Sequence, residues 1–176
     1  YITKTPLPQS RHEVRVGAGS WNYRRAELDT TGPVGGKWDA GYRLTAAYET
    51  TDDWTEFKGH TRRHVSPVFQ FKPFKTTNVL VDLEHTEFDR TGIGFQSVRG
   101  SPGNINDPSS RRRNEFLPTP GKDFKTFRWS GPDTFLNEVS RNYLVEVTQQ
   151  VGRDLTVLAG GQFTTSEFES RDVKPF

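Results

Sequence analysis

From Arg11 onward, apolar and polar residues alternate with a period of two in block after block, and helical spacing is nowhere sustained. Val14, Val16 and Ala18 share one face of the first block, with Glu13, Arg15 and Gly17 on the other. The second sets Ala26, Leu28 and Thr30 against Arg25, Glu27 and Asp29, and the third sets Tyr42, Leu44, Ala46 and Tyr48 against Arg43, Thr45, Ala47 and Glu49. "HVSPVFQFK" places Val65, Pro67, Phe69 and Phe71 together, and "NVLVDLEHTEF" places Val79, Val81 and Leu83 opposite Asp82 and Glu84. Tyr143, Val145 and Val147 follow, then Leu155, Val157, Ala159 and Phe163. The pattern predicts an all-β antiparallel meander of about seven strands. Pro67 is the awkward member, because proline removes a ladder donor.

The expected connections alternate in length. "GPVGGKWD", "PFKTTN" and "GRD" are short, whereas "TTDDWTEFKGHTRR" is longer and the stretch from about residue 90 to 136 has no clear periodicity. Short turns at one rim and long loops at the other are the habit of outer-membrane barrels, with "SWNYR" a short link on the long-loop side.

Composition narrows this further. Apolar content is 31% with a mean hydropathy of -0.78, too wet for a helical membrane protein, while 12% aromatic residues and 16 Gly are too structured for disorder. A transmembrane β-barrel accommodates both, since only alternate strand residues meet lipid. A formal net charge of +2 gives no reason to expect nucleic acid as a partner, and the absence of cysteine excludes disulfides, thiolate catalysis and Cys-ligated zinc. An odd number of strands and a start without Met are expected of a slice of a larger barrel.

The first 45 or so residues carry a resemblance. Ile2, Thr3, Lys4 and Pro6 stand in an Ile-x-Thr-Lys-x-Pro pattern; Gly19, Ser20 and Trp21 form a Gly-Ser-aromatic turn. Leu28, Asp29, Thr31, Gly32 and Pro33 follow, then Tyr42, Arg43 and Leu44. In order and spacing this resembles the plug-to-barrel junction of TonB-dependent outer-membrane receptors of the siderophore type. The resemblance implies that residues 1–10 close a plug domain and linker, and that residues 11–176 begin a transmembrane β-barrel of about 22 strands. It also implies uptake of ferric siderophores across the outer membrane of a Gram-negative bacterium, with a TonB energy-coupling complex acting through the plug. Partners would be a ferric siderophore or similar small ligand, that complex, and outer-membrane lipid and lipopolysaccharide.

Candidate sites divide in two. The loop at about 90–136 carries eight Lys plus Arg against four Asp plus Glu, interleaved with aromatics. Arg99, Arg111, Arg112, Arg113, Phe116, Phe127, Arg128 and Trp129 are expected ligand contacts, since guanidinium groups and aromatic faces suit planar anionic ligands. The alternative is a solvated loop with self-packed aromatics. The second set is Arg15, Glu27, Asp29, Arg43, Asp82, Glu84 and Glu146, joined by Glu13, Arg25 and Glu49, expected to face the lumen and plug. The alternative there is a wet lumen that merely tolerates charge. Tyr23, Trp38, Tyr42, Tyr48, Phe71 and Tyr143 are expected girdle residues.

"EHTEFD" invites a metal proposal, but strand alternation points Glu84 and His85 to opposite faces, so no metal site is expected; His60 and His64 are placed in a loop. No cofactor is expected, and no nucleophile elbow, phosphate loop or dinucleotide fingerprint makes the chain an enzyme. The rival functions are a TonB-dependent receptor for cobalamin or oligosaccharide, and a soluble all-β ligand-binding module whose apolar strand faces close on one another as a dry core.

Overall fold

A computed structural model describes residues 4–35, 39–53, 58–92 and 133–171. Seven strands form one sheet in chain order, each antiparallel to the next: β1 (Arg11–Ala18), β2 (Arg24–Val34), β3 (Asp39–Asp52), β4 (Gly59–Phe74), β5 (Thr77–Thr91), β6 (Phe135–Val151) and β7 (Leu155–Arg171). The alternation read from sequence thus marks real strands, and the register aligns their faces.

One cross-sheet row runs Ala40, Phe71, Val79, Val147 and Ala159; the next even-numbered row of β3 runs Tyr42, Phe69, Val81, Val145 and Gly161. Odd-numbered rows carry the charges, as in Arg15, Glu27, Ala47, His64, Thr86 and Ser140. Since the side-chain period is two, a slip of one residue in any ladder would mix the two sets.

The faces are buried in the reverse of the usual order. Val14, Val16, Phe69, Val145, Val157 and Phe163 are exposed on the apolar face, Val16 to 82%. On the polar face Thr31, Val68, Leu80 and Asp82 are all buried, at 6% exposure or less. No described residue forms a second layer over the apolar side.

Several boundaries differ from the pattern. Gly32, Pro33 and Val34 continue β2 instead of forming a turn, and Pro33 is accommodated because it lies past the first β1–β2 pair, Arg11↔Thr31, where β2 has only one neighbour. The segment after Thr50 is mostly strand: β3 runs to Asp52 and β4 starts at Gly59. Arg90 ends in β5 and Leu136 begins in β6, so the long connection is trimmed at both ends. The β4–β5 turn shrinks to Lys75 and Thr76, with a register shift between Phe71 and Phe74. Pro67 keeps its pairing with Leu44 of β3, while the β4–β5 partners pass from Val65↔His85 to Val68↔Asp82 in unchanged register. The missing donor therefore falls on the β5 side. Gly152 turns the chain from β6 to β7 at φ +71, a conformation other residues adopt at a penalty.

Candidate functional site

The polar face is a lattice of ion pairs centred on β1, β2 and β3. Opposite charges meet both across the ladder, at Arg15↔Glu27 and Arg25↔Glu49, and between residues two apart along one strand. Arginines thereby also separate the like charges of the facing Glu13 and Asp29. Glu13 takes Arg11 at 3.0 Å and Arg15 at 2.5 Å; Arg15 also approaches Glu27 at 3.9 Å. Arg25 bridges Glu27 and Glu49. Glu49 in turn accepts a hydrogen bond from Tyr23 Oη at 3.4 Å and lies 3.2 Å from His60 Nε2, so it gathers partners from β2, β4 and the β1–β2 turn.

Arg43 grips Asp29 in a two-pronged contact, Nε to Oδ1 at 2.9 Å and Nη2 to Oδ2 at 2.7 Å. Parallel N–H bonds to one carboxylate fix orientation as well as adding strength. Lys4 Nζ joins Asp29 Oδ2 at 3.5 Å. Arg15, Glu27, Asp29, Arg43 and Asp82, with Lys4, border a concavity of about 350 Å³ on this face.

The expected lumen set therefore shares one face. Asp82 receives Ser66 Oγ at 3.4 Å, and Glu84 lies 3.7 Å from His64. Glu146 is on the same face but four strands away from β2, in the row Leu80, Glu146 and Gly160. The concavity brings together five of the seven; Glu84 and Glu146 are not among its lining residues.

Three expectations are corrected. Tyr23 is not a girdle residue, because its hydroxyl points into the polar lattice at Glu49. Tyr143 is at the middle of β6 rather than near its end, where it stacks on Phe163 with centroids 6.4 Å apart. His60 and His64 belong to β4, not to a loop, and both face the lattice. Glu84 and His85 do take opposite faces: His85 pairs with Glu87 at 3.1 Å on the apolar side. Arg99, Arg111, Arg112, Arg113, Phe116, Phe127, Arg128 and Trp129, with Ile2, Thr3 and Trp38, lie outside the described residues.

Two features escaped the sequence reading. The apolar face turns ionic toward the long-loop rim, where Arg63 meets Glu87 at 3.1 Å and Asp89 at 2.8 Å, and Arg141 meets Glu167 at 3.0 Å. Alternating charge at 63, 87, 141 and 167 was legible only once the register joined those strands. The second is residues 4–7, which lie across the polar face. Leu7 N–H donates to Thr31 Oγ1 at 2.9 Å, and Arg43 Nη1 donates to the Thr5 carbonyl at 3.2 Å. A local signal existed in Gly41: a Cβ there would sit 2.9 Å from Pro6 Cβ, so any side chain at this position would make the segment shift by a few tenths of an ångström.

No family model matches the chain. It is 32% identical over 114 residues to the ferripyoverdine receptor of Pseudomonas aeruginosa, covering 61% of this chain and 14% of that protein. It is 28% identical over 104 residues to the metal-pseudopaline receptor CntO of Pseudomonas aeruginosa, covering 57% of this chain and 15% of that one. The chain thus spans about 14–15% of the length of these curated relatives. Among solved structures, the ferric-catecholate import receptor Fiu of E. coli K12 superposes with a TM-score of 0.73 at 16% identity, over 96% of this chain and 25% of that one. These relatives are receptors and not enzymes, and the sheet has the fold of the barrel of TonB-dependent siderophore receptors.

Proposed function

We infer, from this kinship with TonB-dependent siderophore receptors, that the chain is a stretch of barrel wall from such a receptor in the outer membrane of a Gram-negative bacterium. The whole protein takes up a ferric siderophore by TonB-coupled transport. The observation that carries the reading is the inverted burial of the sheet, with its apolar side open and its polar side covered at Thr31, Val68, Leu80 and Asp82 of the central strands. A soluble module would close Val14, Val145 and Val157 into a core; all three are exposed, as hydrocarbon-facing residues are.

On this reading the polar face looks into the lumen, and the concavity beside Asp29 and Arg43 receives the plug, whose end is residues 1–10. Ion pairs suit that wall. They satisfy each other laterally, so a plug can slide or refold against them without stripping bare charges of partners. Arg99, Arg111, Arg112, Arg113, Phe116, Phe127, Arg128 and Trp129 contact the ligand from the extracellular side, a proposal supported by the net positive charge and aromatic content of the 90–136 stretch. The ion-paired outer rim at Arg63 and Arg141 meets the polar headgroup and lipopolysaccharide layer.

Uptake of radio-iron by iron-starved cells expressing the full-length protein tests this directly. Cells supplied with ferripyoverdine or another ferric siderophore should accumulate iron only while the TonB system is intact; equal accumulation without TonB would refute it. The likeness to the metal-pseudopaline receptor favours a second reading, uptake of a metal–pseudopaline complex. Competition by unlabelled metal complexes in the same assay separates the two.

A further inference from the structure

Residues 4–7 make four successive attachments of different kinds. Lys4 Nζ reaches Asp29, the Thr5 carbonyl accepts from Arg43, the Pro6 ring lies over Gly41, and Leu7 N–H donates to Thr31 Oγ1. Thr31 is itself 1% exposed and donates to the Tyr42 carbonyl at 2.9 Å, so the acceptor for Leu7 is held in place.

The order of these contacts gives the path. Asp29 pairs with Thr45 and Thr31 with Arg43, while Gly41 pairs with Pro33, so Lys4 to Pro6 descends β2 and β3 toward the short-turn end. The chain then doubles back, because β1 opens at Arg11 opposite the same Thr31 that holds Leu7. A pull on the chain before Lys4 meets Arg43 and Thr31 before it reaches the first β1–β2 pair.

We propose that Lys4–Leu7 is a latch that stays seated on β2 and β3 during transport, so that load arriving from the N-terminal side ends at Asp29, Thr31 and Arg43 and does not peel β1 from the sheet. The proposal rests on the receptor reading for the origin of that load. The latch itself stands on the geometry alone. It sets a fixed end for plug movement: the part of the plug that is displaced lies before Lys4.

The chain has no cysteine, so the full-length protein, freed of any cysteine elsewhere, accepts a Pro6→Cys and Gly41→Cys pair as a reporter. Disulfide Cβ atoms are about 3.5–4.5 Å apart, within a small shift of the present approach. The pair should oxidise in the periplasm, and the oxidised receptor should import ferripyoverdine at the rate of the reduced one. Failure to cross-link, or loss of import that a reductant restores, would overturn the latch. Should the reduced form import nothing, the ligand reading fails and amide exchange still decides the latch. The Leu7 amide of the unaltered protein should exchange at least about a hundredfold more slowly than an open chain, and about tenfold faster in Thr31→Val. An unprotected Leu7 amide would overturn the latch whatever the transport result.

Discussion

Asp29 is the residue on which the polar face turns, since it holds Arg43 by two hydrogen bonds and Lys4 by a third contact. Its side chain is 26% exposed and that of Arg43 16%, so water screens the pair only partly. Asp29→Asn leaves a mostly covered guanidinium without its carboxylate and is expected to lower barrel stability by about 1–3 kcal/mol. Arg11→Gln, at a side chain 66% exposed, is expected to change it by under about 0.5 kcal/mol. Urea unfolding of the full-length protein in micelles compares them, and equal effects would contradict the assigned geometry. Trp21 offers the opposite case. It sits at φ 54 beside Asn22 at φ 56 in the tight β1–β2 turn, a region bulky residues avoid. Asp52 N–H holds the Trp21 carbonyl at 2.8 Å and Asn22 Nδ2 holds Asp52 at 2.6 Å. Trp21→Asn should relieve the backbone, add about 0.5–1 kcal/mol of stability and so raise the unfolding midpoint. A lowered midpoint would mean that the indole packs more than its 60% exposure implies.

At the scale of the strand, alternation was legible wherever one face was apolar and one charged, as along Val79 to Glu84. It faded where both faces are polar. Gly59–His64 and Phe135–Arg141 are strand by pairing, yet Arg63, Glu87, Arg141 and Glu167 put charge on the otherwise apolar side there. The backbone ladder continues past the apolar band, but periodicity reports only the band. Gly32 and Pro33 misled for another reason: turn residues are admitted in β2 because its partner β1 has not yet begun. That the expected lumen residues share one face was readable because parity alone assigns a face, whereas the partners of Glu49 and Asp29 needed the register. Parity also yields a test. Val81→Arg, on the apolar face, should cost about 2–4 kcal/mol in phospholipid vesicles, and Leu144→Gln, on the polar face, under about 1 kcal/mol. Refolding titrations of the full-length barrel measure both, and reversed penalties would mean the faces are exchanged.

As a whole molecule, this segment is a sheet with two open sides. Among the described residues β1 pairs only with β2 and β7 only with β6, and β7 is exposed along nearly its entire length, including Leu158 and Phe168 on the polar face. Open ladders next to exposed apolar rows are templates for further pairing. Expressed alone in detergent-free buffer, residues 1–176 should therefore sediment as aggregate, and a monodisperse soluble species would point to a closed soluble fold. The receptor reading depends on which of the two faces meets hydrocarbon. Its sharpest test is a cysteine scan of the full-length protein in bilayers, with a spin label read by oxygen and by a water-soluble nickel chelate. Val16, Val81 and Val145 should be relaxed by oxygen and shielded from nickel, with Glu27, Glu84 and Glu146 showing the reverse; nickel reaching Val81 and Val145 freely would contradict the account.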